Sequence, residues 1–286
     1  MPRPRFSFWC ELGRRCKITL HSAEQRRPLR IGKSQPAVDP THRTILGISF
    51  FAGLVSEAIA AIRGGGLLVS PAAPALKNMD RDAGYRDALL GADLVIADSA
   101  LMVMVWNLLQ HDSLRRLSGL KYLRELVLQP DVRQPGNTLW IMASPRSAAT
   151  NLQWLSQNGA SVEPEYVYIA PIYAEQIADP DLLALLDRLR PQHVIITLGG
   201  GTQERLGLYL KQNLAYLPAI HCIGAAIAFL SGDQADIPVW ADKFYLGWLF
   251  RCLSNPKRFV PRYWGARKLI MLLVRYRDRM PALRVP

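Results

Sequence analysis

Short apolar runs alternate with amphipathic segments through most of this chain, and the alternation predicts the fold. The apolar runs predict buried strands at Thr44–Ile48, Leu67–Val69, Leu94–Ile96, Leu139–Ile141, Tyr166–Ile169, Val194–Ile196 and Ile220–Ile223. The segments between them predict helices near Leu54–Ile62, Asp80–Leu90, Leu101–Leu109, Ala148–Gln157, Asp181–Leu189 and Gln203–Leu210. This spacing is typical of an α/β fold of Rossmann-like type, with a mainly parallel sheet and helices on both faces.

The two ends of the chain differ from its centre. Residues 1–43 mix Pro, Arg, Ser and Gln without periodicity, which predicts a basic, poorly ordered extension. Residues 44–239 form the predicted α/β domain. Residues 240–286 form a predicted basic helical appendage, because apolar Leu269–Val274 is flanked by arginine and lysine, as in a helix that lies in a lipid interface. A helix packed on the domain with a solvated face is the alternative.

The net charge of +12 is concentrated at the ends. Residues 1–43 carry ten Lys/Arg against three acidic residues, residues 240–286 carry eleven against two, and the middle carries fourteen against eighteen. Basic ends favour contact with polyanions: an anionic membrane surface, nucleic acid or a phosphorylated substrate. Nucleic acid is disfavoured, because no zinc-ligand spacing, RNA-binding aromatic motif or helix-turn-helix signature accompanies the charge.

The remaining composition indicates a cytoplasmic protein. The four cysteines contain no CxxC pair, and no secretory signal is visible, so buried thiols in a reducing compartment are expected. The longest span without formal charge, Gln212–Gly232, contains Pro218 and Gly224 and suits a loop, a buried strand and a short helix better than a membrane span. We therefore expect a chain that does not cross a bilayer.

Candidate chemistry lies where the predicted strands end, because ligands of such sheets bind beyond the carboxyl ends of the strands. Asp98 could serve as a general base or only as the N-cap of the next helix, and position alone favours the cap. Ser70 could hold a substrate or only form a Ser-Pro turn. Gly199–Gly201, with Gln203 and Glu204 after it, could bind an anion at a helix start, although it fits neither common phosphate-binding fingerprint.

Two further patterns bear on metal and phosphate binding. Asp179-Pro180-Asp181 has the form of a metal-dependent sugar-transfer motif, but its place before an apolar helix favours a helix cap. We predict no metal site and no cofactor. Arg251, Arg258 and Arg262 could bind phosphate together if the fold brings them to one place. Pro256 and Pro261 predict that no single continuous helix carries them.

Taken in their order along the chain, the motifs resemble those of the WecG/TagA/CpsF glycosyltransferases (glycosyltransferase family 26). The resemblance extends over about Ile45–Tyr263. The most specific stretch consists of Ile223-Gly224-Ala225 with Phe229-Leu230-Ser231-Gly232, Pro238-Val239-Trp240, Leu246-Gly247-Trp248-Leu249-Phe250-Arg251 and Asn255-Pro256-Lys257-Arg258. Two further segments are similar to family motifs: Gly91-Ala92-Asp93-Leu94-Val95-Ile96-Ala97-Asp98 and Gly201-Thr202-Gln203-Glu204. The resemblance makes residues 44–239 a catalytic domain.

The resemblance implies metal-independent, inverting transfer of a hexose, N-acetylmannosamine or a related sugar, from a UDP-sugar donor. The implied acceptor is a polyprenyl-diphosphate-linked saccharide at the inner face of the cytoplasmic membrane, in surface polysaccharide biosynthesis. A homo-oligomer is left open.

The resemblance also implies roles for single residues. Asp98 would be the base, Ser70 would lie near the substrate, and Arg116 would stabilise the leaving diphosphate. The implied donor contacts, with Gln203 foremost, are Gly200, Gly201, Gln203, Glu204, Gly224 and Ala225. Arg251, Arg258 and Arg262 would belong to an appendage that closes over the site.

Several positions depart from the family's pattern. An asparagine is replaced by Ala72, glycines after the aspartate by Ser99 and Leu101, an aspartate by Ala228 and a glutamate by Gly247. The alternative hypothesis is therefore a catalytically inactive relative that acts as a membrane-recruited binding protein.

Overall fold

One sheet forms the centre of the part of the chain that the computed structural model describes, residues 41–233 and 247–284. The side chains of residues 247, 248, 251, 254, 258, 259 and 262 lie outside this description. The strands are β1 (His42–Ile45), β2 (Ile48–Phe51), β3 (Gly66–Val69), β4 (Leu94–Ile96), β5 (Thr138–Met142), β6 (Val167–Ile169), β7 (His193–Ile196) and β8 (Ala219–Cys222). Their order is β1-β2-β4-β3-β8-β7-β5-β6. Among these described strands, only β1 pairs antiparallel, with β2.

Helices cover both faces of this sheet. They are α1 (Val55–Ile62), α2 (Ala73–Leu76), α3 (Ala83–Leu90), α4 (Ala100–Gln110), α5 (Gly119–Leu126), α6 (Pro130–Arg133), α7 (Pro145–Gln157), α8 (Pro180–Leu189), α9 (Thr202–Asn213), α10 (Ala226–Leu230), α11 (Gly247–Ser254) and α12 (Pro256–Tyr276). A single 3-10 turn in the described chain, Pro164–Tyr166, precedes β6. The predicted α/β architecture, Rossmann-like and mainly parallel with a helical C-terminal part, is confirmed.

Two cores result, because successive side chains of a strand point to opposite faces. Leu67 and Val69 of β3 join the core under α2, α3, α4, α8, α9 and α12, whereas Leu68 joins the core under α1, α5, α6, α7 and α10. Strands buried on both faces must be apolar at nearly every position. This is why they appear in the sequence as continuous apolar runs.

The structure corrects the prediction of one strand at Thr44–Ile48. These residues form a hairpin, in which Leu46 and Gly47 turn the chain with φ of 52° and 76°. Their N–H groups donate to the carbonyl oxygens of Arg277 and Asp278, at 2.7 and 2.8 Å. A β-carbon on Gly47 would lie 2.8 Å from Met280, so the turn is shaped by the distant C-terminal segment.

The structure confirms that no single continuous helix carries Arg251, Arg258 and Arg262, because α11 ends at Ser254 and α12 begins at Pro256. It corrects only the expectation that Pro261 also breaks the helix. α12 runs without a break from Pro256 to Tyr276. Pro256 occupies the first helical position, where no N–H is needed, and Pro261 removes only one hydrogen bond. Ala266, Leu269, Leu272 and Leu273 of the same helix are buried in the sheet's core, which favours a continuous helix.

A second tie holds the chain after α12 against the domain. The Arg86 guanidinium donates to the carbonyl oxygen of Pro281, and Arg284 forms a 2.8 Å ion pair with Asp80. The predicted extension at 1–43 lies outside the described residues except for its last three. The boundary at 239/240 also lies outside them, so the predicted domain limits stay predictions.

A hydrogen-bonded row of rings crosses the core beneath α5. Tyr122 Oη lies 2.9 Å from His221 Nδ1, His221 Nε2 lies 3.2 Å from His193 Nδ1, and His193 Nε2 lies 3.5 Å from Asp131 Oδ2. Both histidines are buried. Burial lowers the pKa of His221 well below its usual value, helped by the neighbouring His193, and burial also lowers the pKa of His193.

This row predicts acid-sensitive stability. Because the folded protein binds these protons less readily than the unfolded chain, the free energy of unfolding should fall as the pH drops below about 6.5, the unfolded histidine pKa. For His221 alone, the loss between pH 7.5 and 5.5 is on the order of 1 kcal/mol. Urea unfolding at pH 7.5 and 5.5 should show a smaller loss in His221→Gln than in the wild type. The exposed control His111→Gln should lose as much as the wild type, and an equal loss in all three proteins would contradict the prediction.

Candidate functional site

Four adjacent strands end in one row, and their ends carry the candidate residues. Val69 of β3 pairs in parallel with Val95 of β4 and with Cys222 of β8, and Cys222 pairs with Ile196 of β7. Ser70, Asp98, Gly224 and the Gly199–Gly201 turn therefore follow at the same edge of the sheet. β3 and β8 are also the strands where the N-terminal and C-terminal halves of the sheet meet, the position where crevices open in such folds.

Asp98 is held by the loop and helix that follow α4. The Arg116 guanidinium donates from Nε to the Asp98 carbonyl oxygen at 2.6 Å and from Nη2 to Asp98 Oδ1 at 3.2 Å. The Gly119 N–H, the first of α5, donates to the same Oδ1 at 3.0 Å. About a fifth of the Asp98 side chain stays exposed (22%), against 13% for Arg116. The carboxylate is thus oriented from two sides and still reaches solvent.

The helix-cap interpretation of Asp98 is wrong. Ser99 is the N-cap of α4, since its hydroxyl accepts from the Met102 N–H at 3.2 Å. Asp98 lies one residue earlier, where its carboxylate turns to Arg116 and Gly119 instead. No described residue donates to its second oxygen, Oδ2.

Ser70 lies at the junction of the two halves of the sheet. Its hydroxyl donates to the Cys222 carbonyl oxygen at 2.9 Å and is buried. Gly119 packs against it: a β-carbon there would lie 3.3 Å from Ser70 Oγ and 3.3 Å from the Ile223 carbonyl oxygen. The α5 terminus that holds Asp98 can approach β3 and β8 this closely because residue 119 has no side chain.

A second group links the turns after β7 and β8. Glu204 accepts from the Gly201 N–H at 2.6 Å and from Gln203 Nε2 at 3.1 Å, while Gln203 Oε1 accepts from the Gly224 N–H at 2.5 Å. Gln203 and Glu204 are fully buried, with 1% and 0% exposed. Burial raises the pKa of Glu204 above its ordinary value. The Cys222 thiol, which donates to the Gln203 carbonyl oxygen at 3.2 Å, joins this group to Ser70.

Several backbone N–H groups at these turns have no hydrogen-bond acceptor within the described chain. Among them are those of Gly200 and Ala225, which follow β7 and β8 and are half-buried. N–H groups of this kind can receive an anionic ligand.

The roles inferred for Arg251, Arg258 and Arg262 concern side chains outside the described residues, although their backbones lie in α11 and α12.

The described residues contain no group of three or more His, Cys, Asp or Glu side chains that could hold a metal ion. Asp179 caps α8 by accepting from the Leu182 N–H at 3.0 Å, and the Tyr168 and Tyr173 hydroxyls also donate to it. Hydrogen bonds inside the protein therefore account for the first aspartate of the motif, as the cap interpretation predicts.

Sequence reasoning missed the part that Gly119 and α5 play. The signal was present, because Ser118 precedes an apolar stripe at helical spacing formed by Leu120, Leu123 and Val127. The Ser118 hydroxyl accepts from the Lys121 N–H at 3.1 Å and caps the helix. The stripe predicts the helix, but only the tertiary fold shows that its first N–H points at Asp98.

A cavity of about 210 Å³ lies away from this edge. It is lined by residues of the β1–β2 hairpin, the end of α3 and the start of β4, among them Ser49, Leu90 and Asp93. Since Asp93 and Asp98 lie at opposite ends of β4, this cavity does not include the candidate residues.

Comparison with known proteins shows the family of this chain. Residues 43–282 match the model of the glycosyl transferase WecG/TagA/CpsF family. No curated protein matches the chain. Because the match covers most of the chain, this protein belongs to the WecG/TagA/CpsF family of glycosyltransferases.

Proposed function

We propose that this glycosyltransferase moves a hexose, N-acetylmannosamine or a related sugar, from a UDP-sugar to a polyprenyl-diphosphate-linked saccharide in surface polysaccharide biosynthesis. The reaction inverts the anomeric centre and uses no metal. The observation that carries the proposal is the Asp98 carboxylate, oriented by Arg116 and the Gly119 N–H beside the junction of β3 and β8.

Asp98 acts as the general base in this proposal. It removes the proton of the acceptor hydroxyl while that oxygen attacks C1 of the sugar, and the electron pair of the broken bond leaves with UDP. A base needs a fixed direction and access to the substrate. The Arg116 guanidinium and the Gly119 N–H, which both donate to Oδ1, fix the direction of the Asp98 carboxylate. Its partial exposure gives the substrate access to it.

Arg116 and the glycine turns receive the leaving diphosphate. Negative charge grows on that group as the bond breaks, and a guanidinium with backbone N–H groups stabilises such charge when they are positioned beforehand. Arg116 is fixed by its bonds to Asp98, and the N–H groups of Gly200 and Ala225 lie at the ends of β7 and β8. Ser70 supports the same edge from β3.

The acceptor places the reaction at the inner face of the cytoplasmic membrane. No helix in the described part of the chain is long and apolar enough to cross a bilayer. α12 instead supports peripheral binding, since Trp264, Met271 and Val274 are more than half exposed on the side opposite its buried residues. Arg267 stacks on Trp264 at 4.4 Å, and Lys268 and Arg275 are exposed nearby. Apolar side chains with a cationic fringe suit an anionic lipid surface.

Replacement of the base gives the first test of this function. Asp98→Asn should lower kcat for hexose transfer about 10²–10⁴-fold, because the amide cannot accept the proton, while UDP affinity changes little. The control is Asp93→Asn at the opposite end of β4, which should keep its kcat. Release of UDP from a panel of UDP-hexoses with a lipid-diphosphate acceptor measures both. Unchanged transfer by Asp98→Asn would remove the base, and UDP binding without transfer by the wild type would favour the inactive relative.

The role of Arg116 can be tested by a substitution that removes the planar set of N–H donors of its guanidinium group. Arg116→Lys keeps the charge but cannot donate to the Asp98 backbone and side chain together. We expect kcat to fall at least about tenfold, with the free energy of unfolding reduced by about 1–3 kcal/mol. Arg115→Lys, an exposed neighbour in the same loop, is the matched control and should behave as the wild type. Equal kinetics for both variants would exclude Arg116 from the site.

Membrane binding can be tested without deleting α12, whose buried side chains the domain needs. The triple variant Trp264→Ser, Met271→Ser and Val274→Ser should lose most of its binding to liposomes that contain anionic lipid, because it loses the apolar contact. Serine at three other exposed apolar residues, Leu54, Leu128 and Ile172, is the matched control. Co-sedimentation at fixed salt measures binding. Equal retention of the two triple variants would contradict a membrane role for α12.

A further inference from the structure

Glu204 is a fully buried carboxylate between two glycine turns, and this placement is unusual enough to require a reason. It lies in the first turn of α9, where such a residue ordinarily caps the helix from the surface. Here one oxygen accepts from the Gly201 N–H and the other accepts from the Gln203 side chain. Since a backbone N–H can only donate a hydrogen bond, the Gly201 and Gly224 N–H groups must each face an oxygen, of Glu204 and of Gln203 respectively.

This requirement fixes the orientation of the Gln203 amide. Its nitrogen donates to Glu204, so its oxygen points to the N–H of Gly224 at 2.5 Å. The result is a directed chain from the turn after β8 to the turn after β7: Gly224 donates to Gln203, Gln203 donates to Glu204, and Gly201 donates to Glu204 from the other side. Both ends of the Gln203 amide are used inside the protein, and its side chain is buried.

We propose that Gln203 and Glu204 are positioning residues that together hold the Gly201 and Gly224 turns in register, and that neither side chain touches the sugar donor. The inference rests on the proposed function only in that these turns receive the donor diphosphate. The N–H groups of Gly201 and Gly224 are occupied by the pair, which leaves Gly200 and Ala225 to meet the ligand. A shift in either turn would move these N–H groups apart and weaken donor binding.

The chain of donors and acceptors makes a reciprocal exchange possible. Glu204→Gln alone places an amide NH₂ against an N–H donor, so one hydrogen bond of the chain must be lost. Gln203→Glu alone places two carboxylates side by side. In the double variant Gln203→Glu/Glu204→Gln, Gln at 204 accepts from Gly201 and donates to Glu at 203, which accepts from Gly224. Every hydrogen bond is then restored with the same net charge.

The experiment measures UDP affinity by calorimetry and amide hydrogen exchange of Gly224 and Gly201 in the ligand-free protein by NMR. We expect Glu204→Gln to weaken UDP binding about tenfold, roughly one net hydrogen bond, and to speed exchange at Gly224. The double variant should restore both to within about threefold of the wild type. If Glu204→Gln does not fold, Gln203→Met, which removes the amide but keeps most of its volume, should show the same two losses.

The matched control is Glu57→Gln. Glu57 has the same place in the first turn of α1, where it accepts from the Leu54 N–H at 2.7 Å, but it is exposed and follows β2, which lies three places from β8 in the sheet. It should leave UDP affinity and exchange at Gly224 unchanged, which separates loss of a helix cap from loss of the pair.

Two outcomes would overturn the positioning role of Gln203 and Glu204, and a third would overturn only the proposed function. If the double variant restores exchange but not UDP affinity, the side chains themselves contact the donor and the proposal is overturned. Unchanged exchange in Glu204→Gln would also overturn it. If the wild type binds no UDP, the proposed function fails, yet the exchange data still decide whether the pair holds the turns.

Discussion

The parallel, in-register pairing of β4, β3, β8 and β7 is the constraint on which the rest of this structure depends. Because Val95, Val69, Cys222 and Ile196 lie side by side, the residues that follow them must emerge at one edge. Asp98, Ser70, Gly224 and the Gly199–Gly201 turn, far apart in sequence, become neighbours through backbone hydrogen bonds alone. The side chains then only need to orient what the sheet has gathered.

Cys222 shows how the orientation is achieved at the centre of that edge. Its carbonyl oxygen accepts from Ser70, on the side of Asp98, and its thiol donates to the Gln203 carbonyl oxygen, on the side of the glycine turns. Burial and the Glu204 charge raise the pKa of this thiol well above its usual value, so it acts here as a packed donor and not as a nucleophile. The two halves of the candidate site therefore share one buried connection.

The sequence predicted the strands and most helices because sheets buried on both faces demand apolar runs such as Val194–Ile196. It failed where distant segments decide the local structure. The turn at Leu46 and Gly47 depends on carbonyl oxygens of the C-terminal segment, and α12 continues through Pro261 because its later residues pack on α2 and α4. Asp98 could be singled out by its place after a strand, but the donors that orient it, and the burial of Gln203, follow from the tertiary fold.

In the proposed reaction, one diphosphate lies between Asp98, Arg116 and the glycine turns. A crystal structure of the protein with UDP tests this most directly. We expect phosphate oxygens within hydrogen-bonding distance, about 2.7–3.2 Å, of the Arg116 guanidinium and of the N–H groups of Gly200 or Ala225. UDP bound in the cavity at the start of β4, or anywhere that leaves Arg116 and both turns without contact, would contradict it.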